Sequence, residues 1–185
     1  MAGVPGVATV DISTRNDMLN RYFLTIRLQK TEELKELLDI DATIVEAISR
    51  DGFNGLQLSC KYGFVDVADV LLRRNIDVSF VDVKHKRTGL HWAAINGHSS
   101  IVSTFLSGHD SLLTGILNTT DASGHSALMH AVKGGRVEVV RLLLSAGARL
   151  DITVGSGSFA KTVFDLCNKS TEILAMLIQA QTANN

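Results

Sequence analysis

The stretch Gly155-Ser-Gly-Ser-Phe-Ala-Lys-Thr162 is the closest approach to a chemistry-bearing motif in this chain of 185 residues. A Gly-x4-Gly-Lys-Thr pattern wraps backbone N–H groups round phosphates, sets its lysine on the terminal phosphates and offers a hydroxyl to magnesium. Here Ala160 stands where the second glycine belongs, and no later apolar strand ending in Asp completes a metal site. Nucleotide binding through Lys161 is therefore the enzyme-class alternative, not the leading reading. Six histidines raise the question of metal or acid–base chemistry. His85, His109, His125 and His130 are scattered without the spacing of a metal-binding helix, and His91 and His98 belong to a stretch that recurs. Gly124-His-Ser126 lacks the second glycine of a nucleophile turn. These residues assign no catalytic role, no metal and no cofactor.

The elements that must position any site follow from composition. With 45% hydrophobic residues and a net charge of -1, the chain reads as one soluble globular domain. Aromatic residues make up only 5%, so the core is expected to be Leu, Val, Ile and Ala on closely packed helices. Cys60 and Cys167 sit far apart in apolar stretches without Cys-x-x-Cys pairing, and read as buried thiols of a reducing compartment. Residues 1–14 lack the charge cluster and apolar run of a signal peptide, and no apolar run is long enough to span a bilayer. A cytoplasmic location follows, with Lys84 to Arg87 as a short nuclear-entry signal. The Asn118-Thr-Thr and Asn168-Lys-Ser glycosylation patterns are then without consequence.

Thr88-Gly-Leu-His-Trp-Ala-Ala-Ile-Asn-Gly-His98 reads as a capped helix, with Leu90, Ala93 and Ala94 on one face and Gly97 as a left-handed exit. Ile101, Val102, Phe105 and Leu106 are spaced for a second helix lying back along it. Similar hairpins start at Asn54, Ser126 and Thr162, separated from Thr88 and one another by 34, 38 and 36 residues, and Asn20 lies 34 before Asn54. The first hairpin is expected to begin with a helix capped by Asn16 or Asp17, followed by a second helix at Thr31 to Leu38. The last is expected to pair a helix at Thr162 to Cys167 with one from Glu172 to Ala180.

This pattern resembles the ankyrin repeat, Thr-Pro-Leu-His-x-Ala-Ala-x-x-Gly-His followed by Val-Val-x-Leu-Leu-Leu-x-x-Gly-Ala. Thr88, Leu90, His91, Ala93, Ala94, Gly97 and His98 match it, as do Leu128, Ala131, Gly135, Val139, Val140, Leu142 to Leu144, Gly147 and Ala148. The resemblance implies an all-α solenoid of helix-turn-helix units joined by hairpin fingers. Residues 1–15 form a tail, and units fall at about 17–49, 50–83, 84–119, 120–156 and 157–181. Irregular first and last units read as the caps of an array complete at both ends. The family proline is absent from every unit. Gly55 and Gly89 stand in its place in two of them and are expected to lower helix stability by about 1 kcal/mol each. About five extra residues within Ser107 to Leu113 should bulge outward, and Trp92 should pack between neighbouring helices.

Family members bind through turn tips and the exposed ends of the first helices. In register these are Arg50, Phe53, Lys61 and Tyr62, then Lys84, His85, Lys86, Arg87, Ile95 and Asn96. Units four and five add Thr120, Ser123, His125 and Lys133, then Phe159, Lys161 and Lys169. No acid falls at these positions. A one-sign groove steers an oppositely charged ligand, and Phe53, Tyr62 and Phe159 could anchor it. The implied function is a non-enzymatic, monomeric adaptor that binds an acidic segment of another protein. Nucleic acid, as for a transcriptional cofactor, is disfavoured by a pI near 6.6, and no membrane partner is expected.

Overall fold

A computed structural model describes residues 12–107, 115–156, 160–167 and 170–183. Its helices are α1 (Ile12–Arg27), α2 (Thr31–Ile40), α3 (Gly55–Tyr62), α4 (Val65–Arg73), α5 (Gly89–Asn96), α6 (Ser99–Leu106), α7 (Ala127–Lys133), α8 (Val137–Ser145) and α9 (Thr171–Ala183). They stack in two layers. Helices α1, α3, α5 and α7 pack in sequence to form one layer, and α2, α4, α6, α8 and α9 form the other. Short antiparallel bridges, Ile48 with Asn54, Thr120 with Ser126 and Val154 with Lys161, close the fingers between hairpins. Among the described residues no helix is long and apolar enough to cross a membrane.

The core lies between the layers. Leu56, Leu71, Leu90, Ile101, Val102, Phe105, Leu128, Val140 and Leu143 are all buried, and each such side chain contributes roughly 1.5–3 kcal/mol of burial. Helix α5 stops where expected, Gly97 taking a left-handed φ of +81°, and Gly63 ends α3 in the same way at +86°.

Helix starts vary on one theme at the third helical position. In α3, the Asn54 side chain accepts from the Gln57 N–H, and Gln57 Oε1 accepts from the Asn54 N–H. In α5 the Thr88 N–H donates to His91 Nδ1 at 3.2 Å. Ser126 caps α7 by accepting from the Met129 N–H, but Met129 has no group to return the bond.

Three local expectations are corrected. Helix α1 begins at Ile12, ahead of Asn16 and Asp17, whose side chains point to solvent and so cap nothing. Residues 163–166 form a turn, not a helix. There the Asp165 carboxylate accepts from both the N–H and the hydroxyl of Thr162, so Thr162 caps no helix, and the segment is too short to recover the cost of helix nucleation. Cys167 is only half-buried, although Cys60 is fully buried.

Gly55 and Gly89 also have a different meaning from a simple loss of propensity. A Cβ on Gly55 would collide with the Tyr22 hydroxyl and lie 2.9 Å from Ile26 Cδ1, and one on Gly89 would lie 3.0 Å from Cys60 Sγ. Both glycines let consecutive first-layer helices approach closely. The expected bulge at Ser107 to Leu113 lies almost wholly outside the described residues.

Candidate functional site

Helix α5 and its finger build the centre of the face formed by the fingers and first-layer helices. Trp92 is partly buried and packs against the edge of the core. Its indole Nε1–H donates to Asp82 Oδ2 at 3.3 Å, and its ring meets Phe53 edge to face at a centroid distance of 5.7 Å. Lys61 Nζ lies 5.2 Å from the Trp92 centroid, and the Arg87 guanidinium carbon 5.1 Å from it. The fourth helical position of this unit thus meets finger residues as well as the edge of the core.

The fingers are held from beneath by two buried carboxylates. Asp82 accepts from the His85 and Arg87 N–H groups. Asp121 accepts from the Ser123 and His125 N–H groups, from Arg87 Nε at 3.0 Å and from His130 Nε2 at 2.8 Å. Burial alone would push the Asp121 carboxyl up, but the bonds from His130, Arg87 and the two backbone groups outweigh it and hold the carboxyl far below its usual range. His130 occupies the position in α7 that Trp92 holds in α5, and both donate a ring N–H to the Asp of their own finger. The Ala122 N–H also donates to the His85 carbonyl, so adjacent fingers are joined through the backbone.

His91 and His98, the two histidines of the recurring stretch, each face a backbone carbonyl of a neighbouring unit. Because His91 Nδ1 accepts from Thr88, its Nε2–H is the donor to the His125 carbonyl at 3.2 Å. Burial, then the neighbouring His130, push the His91 pKa down to about 4. Burial likewise lowers His125 and His130, against the pull of Asp121. His98 Nε2 faces the Lys61 carbonyl at 3.4 Å. In the next unit Arg136 takes over this position, its Nε donating to the Ile95 carbonyl at 3.3 Å. Among the described residues no cluster of His, Cys, Asp or Glu is arranged to hold a metal ion.

The residues proposed to meet a partner divide into distinct groups. Phe53, Lys61 and Tyr62 come together with Trp92, and Tyr62 is 54% exposed. Arg50, Lys84, Asn96, Lys133 and Lys161 are exposed, and Ile95 and His85 are half-buried. Arg87 is bound to Asp121 with only 19% of its side chain exposed, which gives it a structural duty that its charge did not disclose. His125 packs against the His130 ring at 5.2 Å, with its Nδ1 buried and unpartnered. Phe159, Lys169 and His109 lie outside the described residues. The face is also less uniformly positive than its register positions imply, because Asp51 is exposed at the finger tip beside Arg50. Trp92, Asp82, Asp121, His130 and Arg136 were missing from the expected set. The signal for the two carboxylates was Asp preceding each capped motif by five or six residues.

Within the phosphate-loop alternative at Gly155 to Thr162, residues 157–159 lie outside the described residues, and the described flanks lack its geometry. Val154 and Lys161 exchange backbone hydrogen bonds of 2.9 and 2.8 Å, closing the base of a hairpin. No helix follows Lys161, and the Thr162 hydroxyl donates to Asp165. A phosphate loop requires a helix N-terminus there and a free hydroxyl for magnesium.

Residues 79–154 match the family model for ankyrin repeats in three copies. Over 147 residues, 76% of its length, the chain is 31% identical to the human transient receptor potential cation channel subfamily A member 1, of which it spans 13%. Over 123 residues, 63% of its length, it is 28% identical to the Arabidopsis thaliana protein XBAT31, named as an E3 ubiquitin-protein ligase, and spans 27% of it. The chain therefore covers a minor part of each relative. The matched segment contains the capped helices α5 and α7 and the buried carboxylates Asp82 and Asp121, and the hairpin of α3 and α4 continues the stack on its amino-terminal side: the chain is an ankyrin-repeat protein.

Proposed function

We propose that this array is a non-enzymatic adaptor whose finger-side face binds an acidic segment of another protein. The observation that carries the reading is Lys61, whose ammonium lies within 4.7–5.6 Å of three aromatic ring centroids and has no carboxylate in ion-pair reach among the described residues. Lys84 and Lys133 extend the positive charge along adjacent units, while Asp82 and Asp121 lie buried underneath. Aromatic side chains beside unpaired cations suit a peptide that presents both carboxylates and apolar groups.

The test is affinity capture from cell extract with mass-spectrometric identification, comparing the chain with a Lys61→Glu, Lys84→Glu, Lys133→Glu variant at low and high salt. These three lysines make no ion pair among the described residues, so the variant breaks no salt bridge there, and circular dichroism checks that it is folded. Loss of the main partner is expected. Unchanged capture by the folded variant would remove this face from consideration.

A further inference from the structure

Lys61 lies in the last turn of α3 with its Nζ 4.7 Å from the Phe53 centroid, 5.2 Å from that of Trp92 and 5.6 Å from that of Tyr62. Each ring is itself fixed. Trp92 is tethered to Asp82, Phe53 stands edge-on against Trp92 at 74°, and Tyr62 stacks on Phe64 at 5.7 Å. Aromatic faces attract a cation but accept its N–H groups poorly. The ammonium is thus electrostatically held while its three donors meet no protein oxygen or nitrogen among the described residues.

A free lysine loses rotamer freedom when it grips an anion. Here that freedom is already restricted, so a carboxylate can complete the ammonium without first ordering it. Arg87, over the same indole, contrasts with it, because its charge is already met by Asp121.

We propose that Phe53, Tyr62 and Trp92 form a cage that presets Lys61 as the anchor for one carboxylate of an acidic peptide. This rests on the acidic-partner reading above and sharpens it: recognition depends on one positioned ammonium instead of the summed charge of the face. The three aromatic side chains are positioning residues. They act through Lys61, and Trp92 in particular sets the ammonium between two repeats.

The probe is a fluorescein-labelled hexaglutamate peptide, titrated into the 185-residue chain at low salt and followed by anisotropy. Lys61→Met and Trp92→Leu are each expected to weaken binding about tenfold, and Trp92→Phe, which keeps a π face, should retain most of it. Lys133→Met removes the same charge from an uncaged site and should cost less than about twofold. In parallel, NMR of lysine 13Cε-labelled protein should show the Lys61 Hε signals shifted upfield by the rings, and returned toward ordinary values in Trp92→Leu. Should Trp92→Leu fail to fold, Tyr62→Leu alters a half-exposed ring and carries the same two readouts.

Equal losses from Lys61→Met and Lys133→Met, or unshifted Lys61 signals, would overturn the cage while leaving the acidic-partner reading in place. No binding of hexaglutamate by the parent chain would overturn both. Tighter binding of an oligothymidylate of equal charge would also overturn the proposal, in favour of nucleic-acid phosphates.

Discussion

Arg87 and Asp121 form an ion pair of 3.0 Å across two successive fingers, with the Asp121 side chain only 1% exposed. Removing either partner has unequal consequences. Asp121→Ala strands Arg87, His130 and two finger N–H groups, and should destabilise the chain by about 3–5 kcal/mol. Arg87→Leu leaves the carboxylate with its other three donors and should cost only about 1–2 kcal/mol. Urea unfolding of both variants checks the order, and a larger loss for Arg87→Leu would contradict the assignment of Asp121 as the hub.

Gly55→Ala should destabilise, although alanine is ordinarily the better residue in a helix by about 1 kcal/mol. The added methyl meets Tyr22 and Ile26 across the α1–α3 contact, an overpacking worth roughly 1–3 kcal/mol. Tyr22→Phe in the same background should recover part of the loss by removing the hydroxyl, even though that hydroxyl donates to the Val45 carbonyl. A double-mutant cycle reads the coupling directly, and strict additivity would rule out the clash.

Acid should loosen the junction between α5 and α7. The His91 pKa in the folded chain is about 4, against 6.5 for an unperturbed imidazole, so the folded state favours the neutral ring. Its stabilising contribution is complete above pH 6.5 and is lost as pH falls from there through 4, to a total on the order of 3 kcal/mol. His125 and His130, also lowered, act in the same direction. Gln57 fills the corresponding place in α3, accepting from Asn54 and donating to the Arg87 carbonyl. His91→Gln should therefore keep the bonds and flatten the pH dependence. Urea midpoints between pH 7.5 and 4.5 measure it, and an unchanged slope in the variant would locate the effect elsewhere.

The two cysteines should differ sharply toward iodoacetamide. Burial pushes the Cys60 thiol up and closes access to it, whereas Cys167 is partly exposed, with its Sγ 3.5 Å from the Ser170 carbonyl. Mass spectrometry of the native chain should find Cys167 alkylated first. Preferential labelling of Cys60 would require opening of the α3–α5 contact.

ATP or GTP with magnesium should give no saturable thermal shift. The hairpin closed by Val154 and Lys161 leaves no helix N-terminus for phosphates. A clear saturable shift would restore the nucleotide reading.

Much of the architecture was legible because a helical hairpin writes itself locally. Asn54, Thr88 and Ser126 announced three helix starts, Gly97 announced an end, and the spacing of Leu, Val and Ala identified the buried faces. The weak places were where no local rule applied. Thr162 resembled a cap, but the Asp165 side chain took its N–H and hydroxyl and the helix did not form. Arg87 resembled a free surface charge because the carboxylate that meets it lies 34 residues away.

The sequence by itself determined the helical repeat and offered its basic residues, Lys61 and Arg87 among them, as candidates, because periodicity and capping depend only on near neighbours in the chain. The tertiary structure decided which of those residues are available. Stacking one repeat on the next buried Asp82 and Asp121 beneath the fingers, bound Arg87 and His130 to Asp121, and turned Trp92 toward Lys61. Those outcomes depend on contacts between side chains of successive units, and hairpin spacing alone carries no record of them.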